Sequence, residues 1–180
     1  MREPSLPTLL FYCQHSLGIG HLTRSFALAQ ALSRHFRVVF LNGGRLPPGV
    51  PVPAAIERID LPPLGMDDGH TVVSRDGQLD VARAQAERRR LIDDAVRRTR
   101  PAVLLVELFP FGRKKFAGEI LPMIRAARSQ SQGAALVACP GCFDSLCPGG
   151  TWAATATSWW GEYDELWGRR WASCVDVTGP

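Results

Sequence analysis

His21 is the residue of this chain best placed to move a proton. It closes the turn His15-Ser16-Leu17-Gly18-Ile19-Gly20, after the apolar run Thr8 to Cys13 and before an apolar-periodic segment starting at Leu22. Gly18 and Gly20 let a ligand come close to the backbone, and the N–H groups opening the following helix attract an anion. A helix N-terminus also favours neutral imidazole, the form that can accept a proton. A histidine base needs a carboxylate to orient it. Glu107, at the end of the apolar run 102–107, is the candidate for that role. Together the two residues would deprotonate a hydroxyl group, and His15 competes with His21 for the role of base.

The same turn has a second reading, which its details disfavour. Gly18-x-Gly20 resembles the start of a dinucleotide fingerprint, but Thr23 stands where the third glycine belongs, and the second strand ends in Asn42 rather than an acidic residue. No Gly-Lys-Ser/Thr follows, so the turn is not a nucleotide P-loop. What remains is a turn suited to a phosphate or to an approaching acceptor, with Thr23 within reach, or else a plain tight turn. Glu107-Leu108-Phe109-Pro110-Phe111-Gly112-Arg113-Lys114-Lys115 is the other unusual stretch. Basic residues at a helix start oppose its dipole, which hints that Arg113 or Lys114 holds an anionic group; a solvated basic cap is the plainer alternative.

These residues need elements to position them. Residues 8–14 read as a buried strand, 15–20 as a turn, and 21–35 as a helix with Leu22, Phe26, Ala29 and Leu32 on one face. Arg37 to Asn42 reads as strand two, ending at Gly43-Gly44. Glu57 to Leu61 reads as strand three, and 64–78 as a long polar loop. A helix over about 79–99 carries apolar Val81, Ala84, Leu91 and Ala95, with Arg83, Arg88, Arg89, Arg90, Arg97 and Arg98 assigned to its outer face. Residues 102–107 form strand four, 113–129 a helix interrupted by Pro122, and 134–138 strand five. This order predicts an α/β fold with a mostly parallel sheet and helices on both faces. Ligands of such sheets sit at the C-terminal strand ends. Gly18 to His21, Asn42 to Gly44 and Glu107 to Pro110 all fall at that edge.

Composition narrows the class. The chain has 180 residues, 46% of them hydrophobic, with a net charge of +4, and a mean hydropathy of −0.03. It therefore has enough apolar residues for a core. No run approaches the roughly 18–20 apolar residues of a spanning helix, and the N-terminus lacks a signal-peptide pattern, which together predict a cytoplasmic protein. The excess of positive charge comes from 19 arginines against 2 lysines. It suits anionic partners, including an anionic lipid surface contacted peripherally. The arginine helix has neither aromatic interleaving nor helix-turn-helix spacing, so nucleic acid is not the expected partner.

The last 42 residues differ in character. They hold all five tryptophans and Cys139, Cys142, Cys147 and Cys174, with no clear period. Residues 1–138 therefore read as one domain and 139–180 as an irregular Trp- and Cys-rich tail. The tail could be an interaction module or, less well supported by the spacing, a zinc site. The reading favoured is a tail produced by a shifted or truncated reading frame. Translating the DNA past codon 138 in the other two frames tests this: a patterned domain is expected to continue in one of them, and its absence from both ends the idea.

Leu10 to Ser25, Val39 to Gly44 and Glu107 to Phe116 together resemble predicted bacterial glycosyltransferases of the GT-B fold, similar to the N-acetylglucosaminyltransferase that completes the lipid-linked peptidoglycan precursor. The resemblance covers roughly residues 8–138. It implies a Rossmann-like N-terminal domain that binds the acceptor, facing a C-terminal domain that binds the nucleotide-sugar donor. It implies His21 and Glu107 as the catalytic pair. It also places His15, Gly18, Gly20, Thr23, Asn42, Gly43, Gly44, Arg113 and Lys114 at the acceptor or its phosphate. No metal or other cofactor is implied. The partners implied are a nucleotide sugar and a glycan or lipid-linked acceptor, in the cytoplasm or at the inner face of the membrane. Because only the N-terminal half is represented, the chain is expected to be inactive without a donor-binding domain or partner chain. The alternatives are a non-catalytic glycan- or phosphate-binding module and an epimerase-like fragment.

Overall fold

The computed structural model describes residues 6–16, 19–68, 70–109 and 113–130, together with the backbone of Ala135–Cys139. Gly18, the turn 110–112 and the tail from 140 onward lie outside the described residues, as do the frame-shift, interaction-module and zinc readings of that tail.

Five parallel strands form the central sheet in the order β3-β2-β1-β6-β7. They are β1 (Thr8–Cys13), β2 (Arg37–Asn42), β3 (Ile56–Asp60), β6 (Val103–Glu107) and β7 (Ala135–Cys139). Their lateral order follows from the chain's two directions of travel. From β1 the chain steps outward through α1 (Gly20–Leu32) to β2 and then to β3. It then crosses back through α2 (Val81–Thr99) to β6, on the other side of β1, and α3 (Ala117–Gln130) carries it on to β7. The result is an α/β, Rossmann-like fold whose strand order reverses between β1 and β6. Crevices outside the carboxyl ends of the strands form at such a reversal.

Strand periodicity divides the core. Leu9, Phe11 and Cys13 of β1 join Val38 and Phe40 of β2 beneath Leu22, Phe26 and Ala29 of α1. Leu10, Tyr12, Val39 and Leu41 face the other way, onto α2 and α3. Alternate residues of a strand point to opposite faces, so an apolar residue at every position is what a sheet covered on both sides requires. Helix α3 buries Ile120, Ile124 and Ala127, and Phe116 is buried just before it. Pro122 lies on its exposed side, as does Gly118, whose carbonyl loses its usual partner and can turn to water.

Two expectations are corrected. The stretch 64–78 is not an unstructured loop, because Leu64–Met66 (β4) and Val72–Ser74 (β5) pair as an antiparallel hairpin. Buried Leu64 and half-buried Val72 anchor that hairpin to the core, an apolar signal hidden among polar neighbours. Arg88 is not on the outer face of α2. It is fully buried. Position 88 is four residues from both Ala84 and Ile92, on the buried stripe, and this spacing outweighs the residue's charge.

Burial of Arg88 is possible because nearly every donor is used. Its Nη2 and Nε atoms bond the Glu119 carboxylate at 2.5 and 2.9 Å. Its Nη1 donates to the carbonyls of Gly43 and Pro62 at 2.8 and 2.9 Å, and Nη2 donates to Gln14 Oε1 at 2.7 Å. Tyr12 Oη donates to Glu119 Oε1 at 2.6 Å. Burial first, and then the Glu119 charge, push the Tyr12 phenol well above its ordinary range, so it remains a donor. Removing one member of such a pair strands the other charge in the core. Arg88→Ala is therefore expected to lose about 3–5 kcal/mol of stability in chemical denaturation. Arg88→Met combined with Glu119→Leu should recover most of that loss.

Candidate functional site

The two chemical candidates meet at the reversal of strand order. β1 and β6 are neighbours, with Tyr12 opposite Val106, so the ends of both strands lie side by side. α1 begins soon after β1 and places His21 in its first turn, while Glu107 closes β6. His21 Nδ1 lies 2.6 Å from Glu107 Oε1. Glu107 is fully buried, whereas the His21 side chain is 27% exposed. The pair thus has one end fixed in the protein and the other near its surface.

Two guanidinium groups accompany the carboxylate. Arg24, one turn along α1 from His21, donates from Nη2 to the same oxygen at 3.0 Å. Arg113 stands 3.5 Å from Oε2. Arg24 Nη2 also lies 3.1 Å from His21 Nδ1. In the tautomer whose Nδ1–H donates to Glu107, Nε2 is left to accept a proton. The α1 N-terminus offers no competing base: its first turn has no acidic side chain, and Ile19 makes no side-chain cap.

His15 is held differently. Asn42 Nδ2 donates to the Gly44 carbonyl at 3.1 Å and to Asp60 Oδ1 at 2.9 Å. The other Asn42 atom, Oδ1, lies 2.9 Å from His15 Nε2 and must accept its proton. Burial lowers the His15 pKa below its ordinary value and outweighs the hydrogen bond to Asn42. His15 is therefore a neutral ring whose Nε2–H is already committed, which leaves His21 as the stronger candidate for base.

The other residues picked from the sequence divide by place. Gly20 is exposed, and a Cβ there would meet no described atom within 4 Å. The Thr23 hydroxyl donates back to the carbonyls of Ile19 and Gly20, both at 3.1 Å. Gly43 and Gly44 are buried and line a protein seam rather than a surface. A Cβ on Gly43 would overlap Gln14 Oε1, and one on Gly44 would overlap the His15 carbonyl and ring. Lys114 is exposed in a 3-10 turn, Lys114–Phe116. Arg113 is mostly buried, and the anion it faces is Glu107. Arg113 and Leu108 both have a φ of 61°, a left-handed backbone unusual for residues with side chains, so local strain flanks the carboxylate.

Arg24 and Asp60 were missed. Arg24 had a legible signal, since a residue three positions after a helical histidine shares its face. Asp60 had none, because its contact with Asn42 depends on the β2–β3 register.

Next to His15 lies a cleft of about 520 Å³, lined also by Ser16 and Ile19, by Arg45 to Pro48, and by Leu64, Gly65 and Arg75. The loop after β2 and the β4–β5 hairpin thus wall the end of β1. Among the described residues, no group of three or more His, Cys, Asp or Glu could hold a metal ion. Burial pushes the Cys13 thiol up to about 12, so it is a core residue rather than a nucleophile.

No protein-family model matches the chain, and no curated protein matches it. Among solved structures, it is similar to UGT2 of Phytolacca americana, complexed with UDP-2-fluoro-glucose and pterostilbene, at 19% identity over 72% of this chain with a TM-score of 0.43. It is also similar to a UDP-glucosyltransferase from Polygonum tinctorium capable of glucosylating indoxyl, complexed with 3,4-dichloroaniline, at 26% identity over 64% of this chain with a TM-score of 0.40. The chain spans 29% and 28% of the lengths of those two proteins.

The state of His15 gives a pH prediction. Its folded-state pKa is depressed, so below the unfolded value of about 6.5 the unfolded chain binds the extra proton first. Its contribution to stability is complete above that value and falls as the pH drops through 6.5 toward the folded pKa. Denaturation midpoints measured from pH 7.5 to 5 should decline, and His15→Gln should remove part of that slope. Gly44→Ala, by displacing the ring, should move the His15 titration seen by NMR.

Proposed function

We propose that this domain is the acceptor side of a GT-B glycosyltransferase, which moves a hexosyl group from a nucleotide sugar to a hydroxyl of a glycan or lipid-linked acceptor. The observation that supports this best is the His21–Glu107 contact at 2.6 Å. It sits where the strand order reverses and leaves Nε2 of a partly exposed ring as the proton acceptor. The sequence resemblance carried by Leu10 to Ser25 and Glu107 to Phe116 supplies the reaction class.

In this reading, His21 Nε2 removes the acceptor's hydroxyl proton as the oxygen bonds to the sugar's anomeric carbon. The bond from that carbon to the diphosphate breaks, and the nucleoside diphosphate leaves with the electron pair. Such a single displacement inverts the anomeric centre. Glu107 holds the ring and stabilises the imidazolium, as carboxylates do in other His-based sites. Arg24 and Arg113 keep Glu107 an acceptor. Gly18 and Gly20 with Thr23 would meet the acceptor at the open start of α1, and Lys114 would meet an anionic group. His15, Asn42, Gly43 and Gly44 would shape the acceptor site from behind. The donor would be held by a second domain, on this protein or on a partner chain. The reaction would take place in the cytoplasm, at the inner membrane face when the acceptor is lipid-linked.

The test is to mix the full chain with a candidate donor-binding domain, a labelled UDP-sugar and acceptor. His21→Ala and Glu107→Gln should each lower kcat by about 10²–10⁴-fold with little change in acceptor KM. Full transfer by His21→Ala would end the assignment of the base. Acceptor binding without transfer under any pairing would favour a non-catalytic binding module.

A further inference from the structure

The cleft beside His15 has a chemical bias that the His21–Glu107 pair does not explain. Its apolar wall is Ile19, Leu46, Pro47, Pro48 and Leu64. Ile19 is 50% exposed, one of the two large hydrophobic side chains most exposed among the described residues. It immediately precedes α1. The charged side chains among the described lining residues are Arg45 and Arg75, with no carboxylate among them.

Neither guanidinium is neutralised by an acidic side chain among the described residues. Arg45 makes no hydrogen bond or ion pair there. Arg75 donates from Nη2 to the Met66 carbonyl at 2.9 Å. Its side chain lies flat over Gly65, where a Cβ would come within 2.9 Å of Arg75 Nε. The missing side chain at Gly65 is therefore what lets Arg75 lie along the hairpin wall. Guanidinium groups suit carboxylate and phosphate because their donors match a pair of oxygens. A volume of about 520 Å³ falls within the range of small-ligand sites, about 300–1,000 Å³.

We propose that this cleft binds a small soluble acceptor with an apolar body and one anionic group, the body lying on Ile19, Leu46 and Leu64 and the anion meeting Arg45 and Arg75. This rests on the acceptor-side reading above and puts a small amphiphilic acceptor in place of the glycan or lipid-linked one. A neutral sugar would leave both arginines unmatched.

The test uses the full chain and a fluorescent pair of nearly equal shape, 7-hydroxycoumarin-3-carboxylate and its neutral 3-carboxamide. The carboxylate should bind about tenfold or more tightly than the amide. Arg45→Ala combined with Arg75→Ala should bring the two to parity while leaving amide binding unchanged. Arg45→Ala alone, at a side chain with no described partner, should remove part of the preference without disturbing the hairpin. Equal affinity for the two probes, binding of neither, or a preference that survives both substitutions would overturn the proposal. So would sedimentation with phosphatidylglycerol vesicles but not phosphatidylcholine vesicles, if lost in the same double variant, since the anion would then be a lipid headgroup. His21→Ala should leave carboxylate binding intact. Failure of glycosyl transfer with the carboxylate preference intact would therefore count against the catalytic reading alone.

Discussion

The buried guanidinium of Arg88 is the constraint on which most of the site depends. A charge with no exposed surface persists only where its donors find acceptors. Those acceptors come from five places: Glu119 on α3, Tyr12 on β1, Gln14 just past β1, Gly43 just past β2, and Pro62 before the hairpin. One side chain therefore holds the α2–α3 layer to the strand ends from which His15, Asn42 and the cleft walls extend. Gly43 is a consequence of this, because any side chain there would collide with Gln14 and press on Arg88.

Around this anchor the site has two histidines with opposite electrostatic settings. His15 is buried, neutral and committed through Nε2 to Asn42. His21 stands at a helix start beside a carboxylate flanked by two guanidiniums. The two lie six residues apart in one turn, yet they meet hydrogen-bond partners on different strands. Asn42 is the counterpart of Glu107: an amide oxygen can receive the proton of a neutral ring, whereas a carboxylate can also stabilise a charged one. This difference, rather than the glycine turn itself, separates a packing residue from a candidate base.

Much of the architecture could be read directly. Unbroken apolar runs in β1, β2 and β6 mark strands covered on both faces, and the alternation of strands and helices dictates a parallel sheet. The pairing of β1 with β6 followed from the expected order, and with it the meeting of His21 and Glu107. Where reading failed, residue type had been placed above position. Arg88 was set on the solvent face because it is charged, although its spacing from Ala84 and Ile92 puts it inside. The hairpin reads as a loop in the sequence because Asp67, Asp68 and His70 at its tip outweigh the few apolar anchors on either side. Gly43 and Gly44, which the resemblance places at the acceptor, have Gln14 and His15 where a side chain of their own would lie.

The sequence by itself determined the sheet, the strand ends at which chemistry can occur, and the residue types available there, because these follow from periodicity and chain order alone. The tertiary structure decided which partner each histidine meets, which arginine is a buried anchor and which faces open space, and that a hairpin and the β2 loop enclose a cleft. Each of these depends on contacts between residues far apart in the chain. Hydrogen-bond direction and desolvation are properties of the assembled surroundings, so no local pattern encodes them.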